Sequence, residues 1–176
     1  MEGVELGWLA GILDGEGSVG FVKSKVHPYV GNDGVIIEKT FDVFPYVNVS
    51  NTSLELLNKF RDLCIKLLTE MISGNIKVAK ISCVLSENKR HRNAYRFTLN
   101  RPEHIKIFLI KVLPHLTAKK NDAVYLLNFL DIKKEYYLKR YNFYKQWQEA
   151  KRTGILQGRK TSRNKVNYSC KKKSLS

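Results

Sequence analysis

Acid is in short supply in this chain of 176 residues, which sets 16 Asp and Glu against 31 Lys and Arg for a formal charge of +15. That excess calls for a polyanionic partner, nucleic acid first and an anionic membrane surface second. Long apolar runs are also missing, and nothing approaches the roughly 20 residues of a membrane span. Cysteine is scarce: Cys64, Cys83 and Cys170 are odd in number, far apart and without a CxxC pair. Neither a zinc site nor a disulfide framework is supported, and Cys64 and Cys83 read as ordinary core residues. The four histidines (His27, His91, His104 and His115) lack ligand spacing, which argues against a His-based metal site. Glu2 and Glu5, with no basic flank, precede the first apolar segment, so no signal peptide is expected. The expectation is a soluble intracellular protein, in the cytoplasm of a microbe or an organelle interior, with no membrane partner.

The positive charge is unevenly spread. Residues 151–176 carry nine Lys and Arg and no acid, among Gly, Ser, Thr and Asn, and cannot bury enough to fold alone. The chain thus reads as one domain over 1–150, with C-terminal helical additions, and a basic tail over 151–176. The tail is either flexible or in contact with DNA.

The most informative segment is Leu9-Ala10-Gly11-Ile12-Leu13-Asp14-Gly15-Glu16-Gly17. It reads as an apolar helix with glycines at Gly7, Gly11 and Gly15, ending in two carboxylates one residue apart. Each helix-interior glycine costs roughly 1 kcal/mol against alanine, so three at a spacing of four need a reason. Residues i and i+4 share a helix face, and these make a flat groove for a close backbone. The segment resembles the LAGLIDADG motif of homing endonucleases. Leu9, Ala10, Gly11, Asp14 and Gly17 match directly; Ile12-Leu13 stand for Leu-Ile, Gly15 for the second alanine and Glu16 for the second aspartate.

The rest of the chain fits an α+β domain. A helix over 5–14 precedes a strand over 18–26, a turn-rich loop over 28–34 and a strand over 36–49. In that second strand Val43, Val47 and Val49 face the core, and Pro45 implies an edge or a bulge. Asn51 or Thr52 caps a helix over 53–72. Strands over 76–85 and 94–99 flank a basic turn at 88–92, and helices follow over 102–113, 117–130 and on to 150. The order is αββαββα, an antiparallel sheet with helices on one face. It agrees with the LAGLIDADG fold over roughly residues 5 to 130, in which two such sheets form a saddle over DNA. No second motif is found; the nearest segment, 126–133, lacks the glycine and has lysine where the acid belongs.

One motif per chain implies, by this resemblance, a homodimer packed through Gly7, Ala10, Gly11 and Asp14, with one Glu16 for each DNA strand. A carboxylate at a helix C-terminus opposes the macrodipole, and a hard divalent cation resolves that conflict. Glu16 and the Gly15 carbonyl are the expected ligands and Mg²⁺ the expected ion. The other motif acid, Asp14, is implied to hold the helix ends in place; a plain solvated Asp is equally open. A lysine follows a Pro-x-Leu in single-motif relatives, and Pro114-His115-Leu116-Thr117-Ala118-Lys119-Lys120 matches that setting. Lys119 is then the catalytic cation, with Lys120 as the alternative. Asn51 stands where relatives often carry a water-ordering glutamine.

Two-stranded β-ribbons fit the DNA major groove and read base edges. Outward Ser24, Asn48, Lys77, Arg96 and Thr98 are candidate DNA contacts, with Arg96 and Lys77 suited to guanine, Asn48 to adenine and Asp42 to cytosine. Outward Phe44 and Tyr46 either pack on thymine methyls or mark a one-residue error in strand phase. The resemblance implies site-specific cleavage of double-stranded DNA and intron homing. An RNA maturase acting on its intron RNA and a non-catalytic DNA-binding regulator are the alternatives.

Overall fold

Helix α1, Gly3–Glu16, runs without a break into strand β1, Gly17–Lys25. In this computed structural model residues 1–25, 29–30, 36–37, 41–72, 76, 80–84 and 94–154 are described. Leu9, Ala10 and Leu13 of α1 are fully buried. Burying a leucine is worth roughly 1.5–3 kcal/mol, so two of them offset the roughly 1 kcal/mol lost at each of Gly7, Gly11 and Gly15. At its start, Glu5 Oε2 accepts the Glu2 N–H at 3.3 Å, and Lys66 of the next helix reaches both Glu5 oxygens at 2.8 and 2.9 Å. Its end depends on Gly17, whose N–H bonds the Leu13 carbonyl. A Cβ there would overlap the Leu13 side chain and stand 2.6 Å from that carbonyl oxygen.

A two-residue ladder, β2 (Tyr29–Val30) with β3 (Ile36–Ile37), precedes β4, Phe41–Asn51. The single strand expected over 36–49 is thus two elements, and most of the loop expected over 28–34 lies outside the described residues. Helix α2, Leu54–Met71, is capped by neither Asn51 nor Thr52: Ser53 Oγ accepts the Leu56 N–H at 3.2 Å. β5 spans Ser82–Val84, a short part of the strand expected over 76–85, and β6 spans Ala94–Leu99. Helix α3 (Pro102–Val112), a 3₁₀ turn (Leu113–His115), α4 (Lys120–Leu130) and α5 (Tyr137–Arg152) complete the described residues.

The four main strands form one antiparallel sheet in the order β1-β4-β6-β5. Val43, Pro45, Val47 and Val49 are buried and their neighbours are not, so the expected phase of β4 holds. Pro45 sits in a central strand but at a local edge. It faces Phe21 on β1, whereas β6 pairs with β4 only over Val47–Asn51 and then turns into Pro102. A residue without an N–H is tolerated where no second strand asks for one. The helices pack against the inner face around one core that includes Leu9, Leu13, Val47, Phe60, Phe97 and Phe108. The fold is the expected α+β arrangement.

Helix α5 closes the far end of that core. Trp147 and Phe129 set their rings against Phe21 at 4.9 and 4.6 Å, and the Trp147 Nε1–H bonds Asp122 on α4 at 3.3 Å. Arg140, almost fully buried, donates to the Val43 and Ile132 carbonyls at 3.2 Å each and stacks on Phe129 at 4.3 Å. Burial depresses its basicity and the Asp42 charge opposes that shift.

Candidate active site and nucleic-acid interface

The two motif carboxylates have different surroundings. Asp14 is bound within its own chain: Oδ2 accepts the Thr117 N–H at 2.7 Å and the Thr117 hydroxyl at 2.8 Å, and Oδ1 accepts the Lys119 N–H at 2.8 Å. Burial raises its pKa, but the donors of Thr117 and Lys119 together outweigh that and hold it below the ordinary carboxylate value. Glu16 is exposed at the last position of α1 and has no hydrogen bond or ion pair among the described residues.

Lys119 comes from the turn before α4. Its ammonium donates to the Asp14 carbonyl at 2.5 Å, so it meets the negative end of the α1 dipole. It is half-buried, whereas Lys120 is exposed. The register extends this cluster to β4: Gly17 faces Val49, so Asn51 lies at the end of the sheet from which α1 enters. Asn51 Oδ1, however, accepts the Ser53 N–H at 2.8 Å and so braces the start of α2. That bond leaves one lone pair of the oxygen and both amide hydrogens for water.

On the α1 surface, Gly7, Gly11 and Gly15 have nothing within 4 Å of an added Cβ. Gly11 and Gly15 are exposed and Gly7 is half-buried. Ala10, expected on that stripe, is fully buried in its own chain, because it turns with Leu9 and Leu13 toward the sheet. Asp14, half-buried, turns its carboxylate to the 117–119 turn.

On the outer face of the sheet, Tyr46, Asn48, Arg96 and Thr98 line one concavity of about 530 Å³ with Val22, Phe44, Pro45 and Asn100. The departure of β6 after Leu99 opens that hollow beside β4. The Arg96 Nε–H donates to Ser50 Oγ at 3.1 Å, which steadies the guanidinium on this face. Ser24 is exposed on the same side of β1, opposite Asp42. Asp42 Oδ1 takes its own neighbour's N–H, from Val43, at 2.8 Å, and its charge opposes the loss of basicity at Arg140. Lys77 lies outside the described residues. Val22 and Asn100 also line this hollow, and sequence reasoning named neither as a contact.

A cation site at the end of α1 would take oxygen from the Glu16 carboxylate and the Gly15 carbonyl, which suit a hard divalent ion. No cluster of three or more His, Cys, Asp or Glu able to hold a metal occurs among the described residues. No described helix is long and apolar enough to cross a membrane.

No protein-family model and no curated protein matches the chain. Solved structures do. The homing endonuclease I-CvuI, in complex with its target, superposes with a TM-score of 0.58 at 15% identity, over 92% of this chain and 85% of that one. The archaeal intron-encoded homing endonuclease I-Vdi141I, complexed with DNA, gives 0.58 at 12% identity over 85% of each. The LAGLIDADG meganuclease I-CpaMI, bound to uncleaved DNA, gives 0.50 at 18% identity over 85% of this chain and 42% of that one. This chain has the LAGLIDADG homing-endonuclease fold, with one copy of the motif in its α1 helix and the start of β1.

Proposed function

We propose that the protein is a site-specific DNA endonuclease that acts as a homodimer, cuts both strands of a near-palindromic duplex with Mg²⁺, and serves intron homing. The observation that carries this reading is the contrast between the two motif acids. Asp14 is consumed by three hydrogen bonds that fix the helix end. Glu16, two residues on, is left exposed and without a described partner at a point where free carbonyls gather. An unpaired carboxylate at the negative end of a helix is an unfavourable arrangement that a bound cation relieves.

Two strands need two hydrolytic centres, and a C2 pair of α1 helices supplies one Glu16 to each. The open glycine face of α1 allows that close pairing, because no side chain stands between the backbones. A bound Mg²⁺ would activate water and neutralise charge developing on the phosphate. The chain's own groups do the rest: Asp14 sets the helix end, and Lys119 holds a positive charge beside it. The outer face of the sheet receives the duplex, with Arg96, Asn48 and Thr98 presenting hydrogen-bonding groups to base edges. The large positive charge draws phosphates to the whole surface.

The test is selection from a randomised duplex library by cleavage in Mg²⁺ and, in parallel, by binding in Ca²⁺. A near-palindromic sequence cut in both strands is expected in Mg²⁺. Enrichment by binding with no cleavage in any divalent ion would overturn the enzymatic reading.

A further inference from the structure

The outer face of the sheet carries an apolar pair beside hydrogen-bonding side chains. Val22 and Phe44 are direct cross-strand partners in the β1–β4 ladder and remain 51% and 46% exposed. Opposed side chains in such a ladder stand about 5 Å apart, so the two form one continuous apolar spot. They are not misplaced core residues, because the buried set Val43, Pro45, Val47 and Val49 alternates with Phe44. Both line the concavity that also presents Asn48, Arg96, Thr98 and Asn100. The hydroxyl of Tyr46, the next outward residue, lies 3.4 Å from Ser18 Oγ, so its polar end already has a partner.

We infer that Val22 and Phe44 recognise the C5-methyl group of a pyrimidine in the major groove, so that each half-site carries a methylated pyrimidine at one fixed position. This rests on the reading of the outer sheet face as the DNA-binding surface. The major groove offers one apolar group on its base edges, the methyl of thymine, beside donors and acceptors that suit the surrounding Asn, Thr and Arg side chains. Two side chains are far too small a patch for a protein interface, which needs about 800 Å² per partner. They are about the size of a methyl contact. Thymine and 5-methylcytosine share this chemistry, and cytosine methylation at that position would then turn a rejected base into an accepted one.

The experiment uses the full chain in Ca²⁺ and selects by binding from three randomised duplex libraries: thymine-containing, uracil-substituted, and uracil-substituted with 5-methylcytosine replacing cytosine. Uracil removes the methyl and leaves every hydrogen bond in place. The expected result is a motif with one symmetry-related thymine whose preference disappears in the uracil library while the other positions persist. Affinity for the matched site should drop about fourfold per half-site, the factor for burying one methyl-sized group. In the third library 5-methylcytosine should appear at that position if the pocket reads the methyl alone. Continued uracil there would assign part of the readout to the thymine O4 and overturn recognition by the methyl alone. Phe44→Ala should select the same motif without that position from the thymine library, and Phe44→Leu should restore it. An unchanged motif and affinity in the uracil library, or a Phe44→Ala protein that still requires thymine, would overturn the inference and leave the endonuclease reading standing. No motif from any library would overturn both.

Discussion

The Lys119 ammonium lies 2.5 Å from the main-chain carbonyl oxygen of Asp14, and the Lys119 N–H bonds the carboxylate of the same residue at 2.8 Å. One residue thus grips the end of the motif helix twice, from a turn more than a hundred positions away. The first contact brings charge to the helix end and the second fixes its direction.

Lys119→Met should separate these contributions, since it removes the charge and keeps the backbone bond. A cation at a helix C-terminus is worth about 1 kcal/mol, so chemical denaturation should show a loss of that order. Cleavage should fall on the order of a hundredfold, as for loss of one preorganised transition-state donor. Lys120→Met, at an exposed neighbour, should change neither. Equal losses in both variants would remove Lys119 from its assigned place.

Asp14→Asn should cost on the order of 2 kcal/mol at pH 7, because an amide cannot accept from both Thr117 and Lys119 without turning a donor toward a donor. The folded pKa of Asp14 lies below its ordinary value of 3.8, burial being outweighed by those hydrogen bonds. Its stabilisation is therefore full above that value and is lost as pH falls through the depressed folded pKa. Urea titrations from pH 7 down to pH 3 should show the gap between wild type and variant narrowing only at the acid end. A gap independent of pH would mean that the charge of Asp14 is not what its donors hold.

Gly11→Val should leave the chain's own fold intact, since an added Cβ at Gly11 meets open space. It should break the close pairing of two α1 helices, where a branched side chain cannot be absorbed cheaply. Sedimentation should show monomers with a near-normal far-ultraviolet spectrum and no double-strand cleavage. A normal dimer would mean that this face meets something other than its symmetry mate.

Truncation after Gly154 removes seven Lys and Arg and leaves α5 whole, including the Lys151–Asp122 ion pair at 3.3 Å. If the tail touches DNA, the slope of log K against log salt should become shallower by about 0.9 for each phosphate it neutralised. An unchanged slope would assign the tail no part in binding.

Much of this architecture is local and therefore legible in the sequence. The motif helix and the alternation Val43, Val47, Val49 follow from spacing, whereas the end of that helix at Glu16 lies two residues beyond the expected one. Ala10 is the instructive failure. Small residues at Gly7, Ala10 and Gly11 look alike in sequence, yet a helix turns about 100° per residue, and Ala10 follows Leu9 and Leu13 inward. Asn51 makes a contact that spacing does not report, because its side chain accepts the Ser53 N–H at the start of α2. The service of Asp42 to Arg140 joins residues nearly a hundred positions apart, and no periodicity reports such a pairing. The same holds for Trp147 and Asp122, which fasten α5 to α4.

The most direct test is Glu16→Gln on the selected site, with binding and single-turnover cleavage measured on the same preparation. The substitution keeps size and hydrogen-bonding capacity but removes the charge that holds a cation. Glu16 has no described intramolecular partner to lose, so the melting temperature should not fall. DNA affinity should be unchanged or slightly higher, because a carboxylate beside phosphate is repulsive without metal. Cleavage of both strands should drop by several orders of magnitude, on the scale of the several kcal/mol that a catalytic metal contributes. A Glu16→Gln homodimer that still cut both strands at the wild-type rate would contradict the account.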